Sequence, residues 1–304
     1  MHKPTARLTL SLFAVFTAAA ITATPLPVRA DTTDEVAADT ESSPSALWEQ
    51  QFLLMVSPYQ ALPNSHAEYE DRYLAWGQAH PEYTPEQVVL DVNIGLDRAF
   101  YTDTVITSQP ESLSVLVNKY IALPSDYIPQ LETLGSTYGT GSLRPEAAAA
   151  FRAMADAARA DGISLRSVSA YRSYQVQDRV YSRYLTQDTQ ASVDSYSARP
   201  GFSEHQTALA LDINTASLQS HFETTSAYAW LTQHCAQYGF ILRYPQGKES
   251  VTGYQFEPWH YRYVGVEIAQ ACMSGNLTLE EYLALQPVEK APVWTGPVEG
   301  LPFI

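Results

Sequence analysis

The feature that most constrains this chain is the order of helical and extended patterns between residues 145 and 285. Residues 145–161 (PEAAAAFRAMADAARAD) open with Pro145, run on alanine and meet Gly162. That is a helix started by proline and stopped by glycine. Residues 164–170 then read as a strand and 174–186 as a helix. Residues 208–213 (ALALDI) are a short apolar strand, 228–238 a helix stopped at Gly239, and 240–244 a further strand. A segment ending near Phe256 is another strand candidate. Residues 263–273 read as a helix stopped by Gly275, and 278–285 as a short helix capped by Thr278. Such short strands, unevenly placed among helices, lack the strand–helix–strand rhythm of a parallel sheet. The expected class is α+β, with a small, mainly antiparallel sheet and flanking helices.

Only two cysteines are present, Cys235 and Cys272. They exclude a disulfide scaffold and a zinc site made of cysteine alone. The core must therefore come from apolar packing, for which 304 residues at 45% hydrophobic content suffice. A formal charge of −15 speaks against nucleic acid as a partner, because phosphate binding wants a basic face. It equally disfavours stable docking on an anionic membrane surface. His2, Lys3 and Arg7 precede an apolar run from Leu8 to about Ala23, then Pro25, Pro27 and Val28-Arg29-Ala30. This is the layout of a secretory signal peptide over residues 1–30, too short for a full membrane span. The expected location is secreted or at the cell surface, with an uncleaved anchor as the alternative. In an oxidising compartment Cys235 and Cys272 can pair, but two buried thiols would read the same.

Residues 31–45 are acidic and rich in Ser/Thr, a flexible linker. Residues 46–110 carry helical patterns, Leu47-Trp48 with Phe52-Leu53 and Tyr69 with Tyr73-Leu74-Ala75, and no motif that bears chemistry. This is a helical N-terminal extension. Residues 111–286 form the candidate catalytic domain, and 287–304 a Pro-rich tail.

The chain lacks His-Glu-x-x-His, Gly-x-Ser-x-Gly and a Ser three residues before any Lys. The common zinc-protease helix, the nucleophile elbow and the Ser-Lys peptidase motif are thus excluded. What remains is a set of histidines and carboxylates: His205, Asp212, Glu257 and His260. Two imidazoles and one carboxylate are a common ligand set for catalytic zinc. Seven residues of straight strand would part His205 from Asp212 by about 23 Å. A turn must bring them together, and Gln206-Thr207 is the place for it. A carboxylate beside the metal but not bonded to it can move protons. From these residues alone, Asp212 and Glu257 can exchange the two roles.

Arg172-Ser173, then Pro200-Gly201-Phe202-Ser203-Glu204-His205-Gln206-x-x-x-Ala210-x-Asp212, then Glu257-Pro258-Trp259-His260-Tyr261-Arg262-Tyr263 resemble the VanY-like D-alanyl-D-alanine carboxypeptidases. Related zinc enzymes include D-Ala-D-Ala dipeptidases and L,D-carboxypeptidases of peptidoglycan. The resemblance covers about residues 114–273, with Val117-Asn118-Lys119 and Leu123-Pro124-x-x-Tyr127 as its lead-in. Val92-Asn93-Ile94-Gly95-Leu96-Asp97 resembles an extension found on some members.

The resemblance implies Zn2+ held by His205, Asp212 and His260, with Glu257 as general base and then general acid. It matches Arg172 to the arginine that polarises the scissile carbonyl or holds substrate, and Gln177 and Ser203 to substrate-binding positions. The family usually has glycine where Ala208 stands; at a positive φ, alanine there costs about 1 kcal/mol. The implied activity is removal of the C-terminal D-alanine from peptidoglycan stem peptides. The alternatives are L,D-carboxypeptidase action on tetrapeptide stems and a catalytically silent wall-binding protein. With so negative a chain, local charge at Arg172, Arg199 and Arg262 is expected to receive an anionic substrate. Oligomeric state is not readable.

Overall fold

The computed structural model describes residues 57–288. The stretches read above as a signal peptide and a linker, the Leu47-Trp48 with Phe52-Leu53 pattern and nearly all of the Pro-rich tail lie outside the described residues. Among the described residues no helix is long and apolar enough to cross a membrane.

Two helices come first, α1 (Glu70–Ala79) and α2 (Pro85–Ile94). Thr84 caps α2 by accepting from the Gln87 N–H, and Gly95 ends it in the left-handed region at φ 99°. Tyr73, Val88, Val89 and Val92 form a small core of their own. Arg72 pairs with Asp97 across it. Residues 95–144 are mostly irregular, with two-residue ladders joining Val105–Ile106 to Ile121–Ala122 and Glu132–Thr133 to Ser142–Leu143.

The longest helix among the described residues, α3 (Pro145–Ala160), starts at Pro145 as expected. It buries Ala147, Ala148, Phe151, Met154, Ala155 and Ala158, a stripe at helical spacing. After it come β1 (Arg166–Ser169), α4 (Tyr174–Leu185) and α5 (Gln190–Asp194). Then follow β2 (Ala210–Asn214), α6 (Ser226–His234), β3 (Phe240–Leu242) and α7 (Glu249–Thr252). The chain closes with β4 (His260–Tyr263), α8 (Val266–Gly275) and α9 (Leu279–Ala284).

The four strands form one antiparallel sheet in the order β1-β2-β4-β3. Alternation gives it two different faces. Leu211, Ile213, Phe240 and Tyr261 pack with α3 in the main core. Asp212, His260, Arg262 and Ile241 occupy the intervening positions, and so point to the opposite face. The α+β class, the small antiparallel sheet and its flanking helices are as expected.

Two local expectations change, and one alternative left open is decided. No strand ends near Phe256: residues 245–256 hold turns and the short α7, because Gly247 and Gly253 take left-handed angles of φ 83° and 75° there. The fourth strand is instead His260–Tyr263, which delays the next helix to Val266. Cys235 and Cys272 are buried free thiols, not a disulfide; each sits in apolar packing, and burial raises Cys235 to about 12.

Candidate active site

The site grows from the sheet register. Asp212 on β2 and His260 on β4 are direct cross-strand partners. His260 Nδ1 stands 3.2 Å from Asp212 Oδ1. His205 joins them from a different direction. A single turn of 3-10 helix over Glu204–Thr207 ends at Ala208, and the chain enters β2 two residues later. This is the turn expected at Gln206-Thr207, and it leaves His205 Nε2 3.6 Å from Asp212 Oδ2. The three donor atoms lie within 4.8 Å of one another.

The ring of His205 is fixed from behind. Its Nδ1 lies 2.7 Å from the Ala170 carbonyl, so Nδ1 carries the proton and Nε2 faces the cluster. Its backbone carbonyl accepts from the Arg172 N–H. Ala170 and Arg172 follow β1 directly, so the strand end orients a histidine and launches the arginine together.

Ala208 takes φ 54°, the left-handed angle that favours glycine, with its side chain fully buried. Strain there is about 1–2 kcal/mol. Ala208→Gly would relieve it but lose a buried methyl, ~0.8 kcal/mol, and loosen the unfolded chain by about 0.4–1 kcal/mol. The terms nearly cancel. Thermal unfolding of the glycine variant should stay within about 4 °C of the parent, with metal content and turnover intact. Loss of either would mean that Ala208 does more than admit the chain to β2.

Glu257 precedes β4 and its carboxylate is 3.7 Å from His260 Nδ1. Burial raises its pKa, against the pull of His260 and Arg172, to about 7. Burial alone would also lift Asp212, but His205 and His260 hold it well below the usual carboxylate range. The roles of Asp212 and Glu257 are thus set apart: one is a firm anion between two imidazoles, the other a carboxyl poised to exchange a proton.

These groups line a cavity of about 390 Å³ together with Arg172, Gln177 and Ser203. Arg172 Nη1 donates to Gln177 Oε1 at 2.8 Å and Nη2 to Ser169 Oγ at 3.2 Å. The Gln177 amide donates to the Ala198 carbonyl at 2.7 Å. Gln177 is only 1% exposed, with both ends of its amide engaged, so it braces Arg172 and the 197–198 wall of the cavity. Of the three arginines expected to receive an anionic substrate, only Arg172 faces the cavity. Arg199 is paired with Asp194 and stacked on Tyr101. Arg262 shares the sheet face of His260 but is fully buried there, donating to Glu204 and to the Leu113 and Val115 carbonyls.

The donor set fits zinc. Two imidazole nitrogens and one carboxylate converge, the hydrogen bond to Ala170 leaves His205 Nε2 unprotonated, and a further carboxylate stands beside them. What the motif analysis passed over is Glu204, adjacent to His205, and the charges around it. Glu204 Oε1 accepts from Arg243 Nε and Arg262 Nη1, both at 2.7 Å. Glu280 on α9 takes the remaining Arg243 donors at 2.8 and 2.7 Å. The available signal was a single arginine in each of two short apolar and aromatic segments, Arg243 after Leu242 and Arg262 between two tyrosines, which reads ordinarily as a solvated face.

The family model described as VanY, D-alanyl-D-alanine carboxypeptidase, matches residues 140–266. That stretch contains every residue of the candidate site. The Bacillus subtilis (strain 168) protein YodJ is 40% identical over 184 residues, 57% of this chain and 67% of YodJ. The chain belongs to the VanY family of D-alanyl-D-alanine carboxypeptidases. Among similar solved structures, that of the LdcB LD-carboxypeptidase gives a TM-score of 0.56 at 38% identity, over 60% of this chain and 90% of that one. A mutant of the vancomycin-resistance D,D-pentapeptidase VanY, in complex with Zn(II), gives 0.50 at 35% identity, over 56% of this chain and 98% of that one. The match to the VanY model ends before α9 and begins after α1 and α2, so the elements around Glu280 lie outside it.

Proposed function

We propose that this chain is a zinc-dependent carboxypeptidase that removes the C-terminal D-alanine from peptidoglycan stem peptides outside the cell membrane. The observation that carries the proposal is the convergence of His205, Asp212 and His260 in one cavity with Glu257 and Arg172. His205 Nε2, Asp212 and His260 Nδ1 would hold the metal. When bound, zinc supplies Lewis acidity, lowering the pKa of water and polarising the scissile carbonyl.

The chain's own residues do the rest. Glu257 takes a proton from the attacking water as its oxygen bonds to the carbonyl carbon. It then gives that proton to the leaving amine as the C–N bond breaks. Its raised pKa suits both transfers. Arg172, braced by Gln177 and Ser169, presents a fixed cation to the carbonyl oxygen or the terminal carboxylate. Ser203, buried in the cavity wall, offers a hydroxyl near the peptide terminus. A silent binding protein would have no chemical use for Glu257. The basic start and apolar run of residues 1–23 support action outside the membrane.

A second reading, L,D-carboxypeptidase action on tetrapeptide stems, is favoured by the likeness to LdcB. The cavity wall at Tyr196, Ser197 and Ala198 would make the choice. The test is amino-acid release from matched pentapeptide and tetrapeptide stems, with and without chelator. D-alanine from the pentapeptide alone, abolished by chelation and restored by zinc, is the expected result. Release from the tetrapeptide alone would transfer the assignment to L,D-activity. Release from neither by a zinc-loaded protein would overturn the enzyme reading.

A further inference from the structure

Behind the metal cluster, two buried polar atoms face one another with no other partner. Glu204 Oε2 and His260 Nε2 are 3.5 Å apart, and neither has another hydrogen-bond partner. The Glu204 side chain is fully buried and that of His260 nearly so. A buried polar group without a partner is costly. Two guanidiniums hold Glu204 as an anion, so the pair is satisfied by a ring proton on Nε2, which Glu204 accepts. That leaves Nδ1 as the nitrogen facing Asp212 and Glu257, the one a metal would claim in place of a proton.

We propose that Glu204 is a positioning residue: it fixes the tautomer and orientation of His260 so that Nδ1, not Nε2, is presented to the metal. This rests on the zinc-site reading above. The two histidines then offer opposite ring nitrogens, each with its far nitrogen donating to a protein oxygen: His205 to the Ala170 carbonyl and His260 to Glu204. Glu204 cannot turn away from this task. Its other oxygen is held by Arg243 Nε and Arg262 Nη1.

Glu204→Gln separates charge from shape. The amide oxygen must take the position that accepts from the two guanidiniums, because an NH2 there would meet donors on both sides. The NH2 group therefore faces His260 and donates to Nε2. The ring proton moves to Nδ1, on the metal side. The expected result is a fall in zinc affinity of about 10–100-fold, measured by chelator competition on folded protein. Glu280→Gln is the matched variant. It removes a carboxylate from the same buried network without touching His260, and should leave zinc affinity unchanged while lowering stability. Equal zinc affinity in Glu204→Gln and the parent overturns the inference and leaves the zinc site standing. An equal loss in both variants also overturns it, since the effect would then be structural. Failure of the parent itself to take up zinc overturns both the inference and the site reading. Should Glu204→Gln not fold, 15N-edited NMR of the zinc-loaded parent decides. A protected ring N–H on His260 Nε2 supports the inference, and a His260 bound through Nε2 overturns it.

Discussion

Glu257→Gln is expected to lower kcat by ~10²–10⁴-fold while the protein keeps its fold and its zinc. Glutamine has the size and shape of glutamate but cannot take a proton from water or carry one to a leaving amine. The position tolerates the exchange structurally. The Glu257 N–H donates to the Tyr244 carbonyl, and its carbonyl accepts from the His260 N–H, so the backbone is tied independently of the side chain. Zinc binding should survive because the converging donors are His205, Asp212 and His260, all untouched, and Glu257 is not one of them. Removing a buried carboxyl held near neutrality, at about 7, is no stability burden of note. The measurement is D-alanine release at saturating peptide, with zinc content determined on the same sample. A loss confined to kcat, with KM little changed, identifies an interaction made in the transition state. Turnover within a few-fold of the parent would take the proton shuttle away from Glu257, leaving Asp212 as the other carboxylate of the cluster.

The contrast between Glu257 and Glu204 shows what a sequence can carry. The three motifs were readable because each is local: Arg172-Ser173, the run to Asp212, and Glu257 to Tyr263. Their convergence could be demanded from chemistry, and the turn at Gln206-Thr207 from the reach of a strand. Helix α3 was readable from Pro145 and its alanines, and α4 from the Ser173 cap, which the structure shows accepting from the Val176 N–H. The strand at His260–Tyr263 was missed because two of its four residues, His260 and Arg262, are polar yet buried. Hydropathy sees no strand where the hidden face is ionic. Gln177 was matched to a substrate-binding position, but its hydrogen bonds to Arg172 and Ala198 span 5 and 21 residues and follow no period. The links of Glu204 to Arg243 and Arg262 span 39 and 58 residues, and those of Glu280 to Arg243 span 37. Such pairs exist only once the sheet is assembled, so no window of sequence contains them.

That long-range network sets the second large effect. Arg243→Met should destabilise the protein by about 3–5 kcal/mol, seen as a fall in Tm of roughly 6–20 °C. The Arg243 side chain has no exposed surface and bridges Glu204 to Glu280. Methionine fills the space of the stem but leaves Glu280 on α9 without either of its guanidinium bonds. Glu280 then keeps only the long contact from the Asn118 amide, at 3.4 Å. Glu204 fares better, because Arg262 still holds it. The damage should therefore concentrate at α9. That helix is also gripped from the N-terminal side, where the Asn64 and Asn93 amides donate to the Ala284 carbonyl. Removing the stranded charge as well should restore much of the loss. In Arg243→Met with Glu280→Leu, neither buried ion remains unpaired, and a well-packed apolar pair can match the ion pair it replaces. The two single variants and the double one, compared by thermal or denaturant unfolding, give the coupling energy directly. A single-variant cost below about 1 kcal/mol, the value of an exposed pair, would show that water reaches this network. A double variant less stable than Arg243→Met alone would show that Glu280 is held by something other than Arg243.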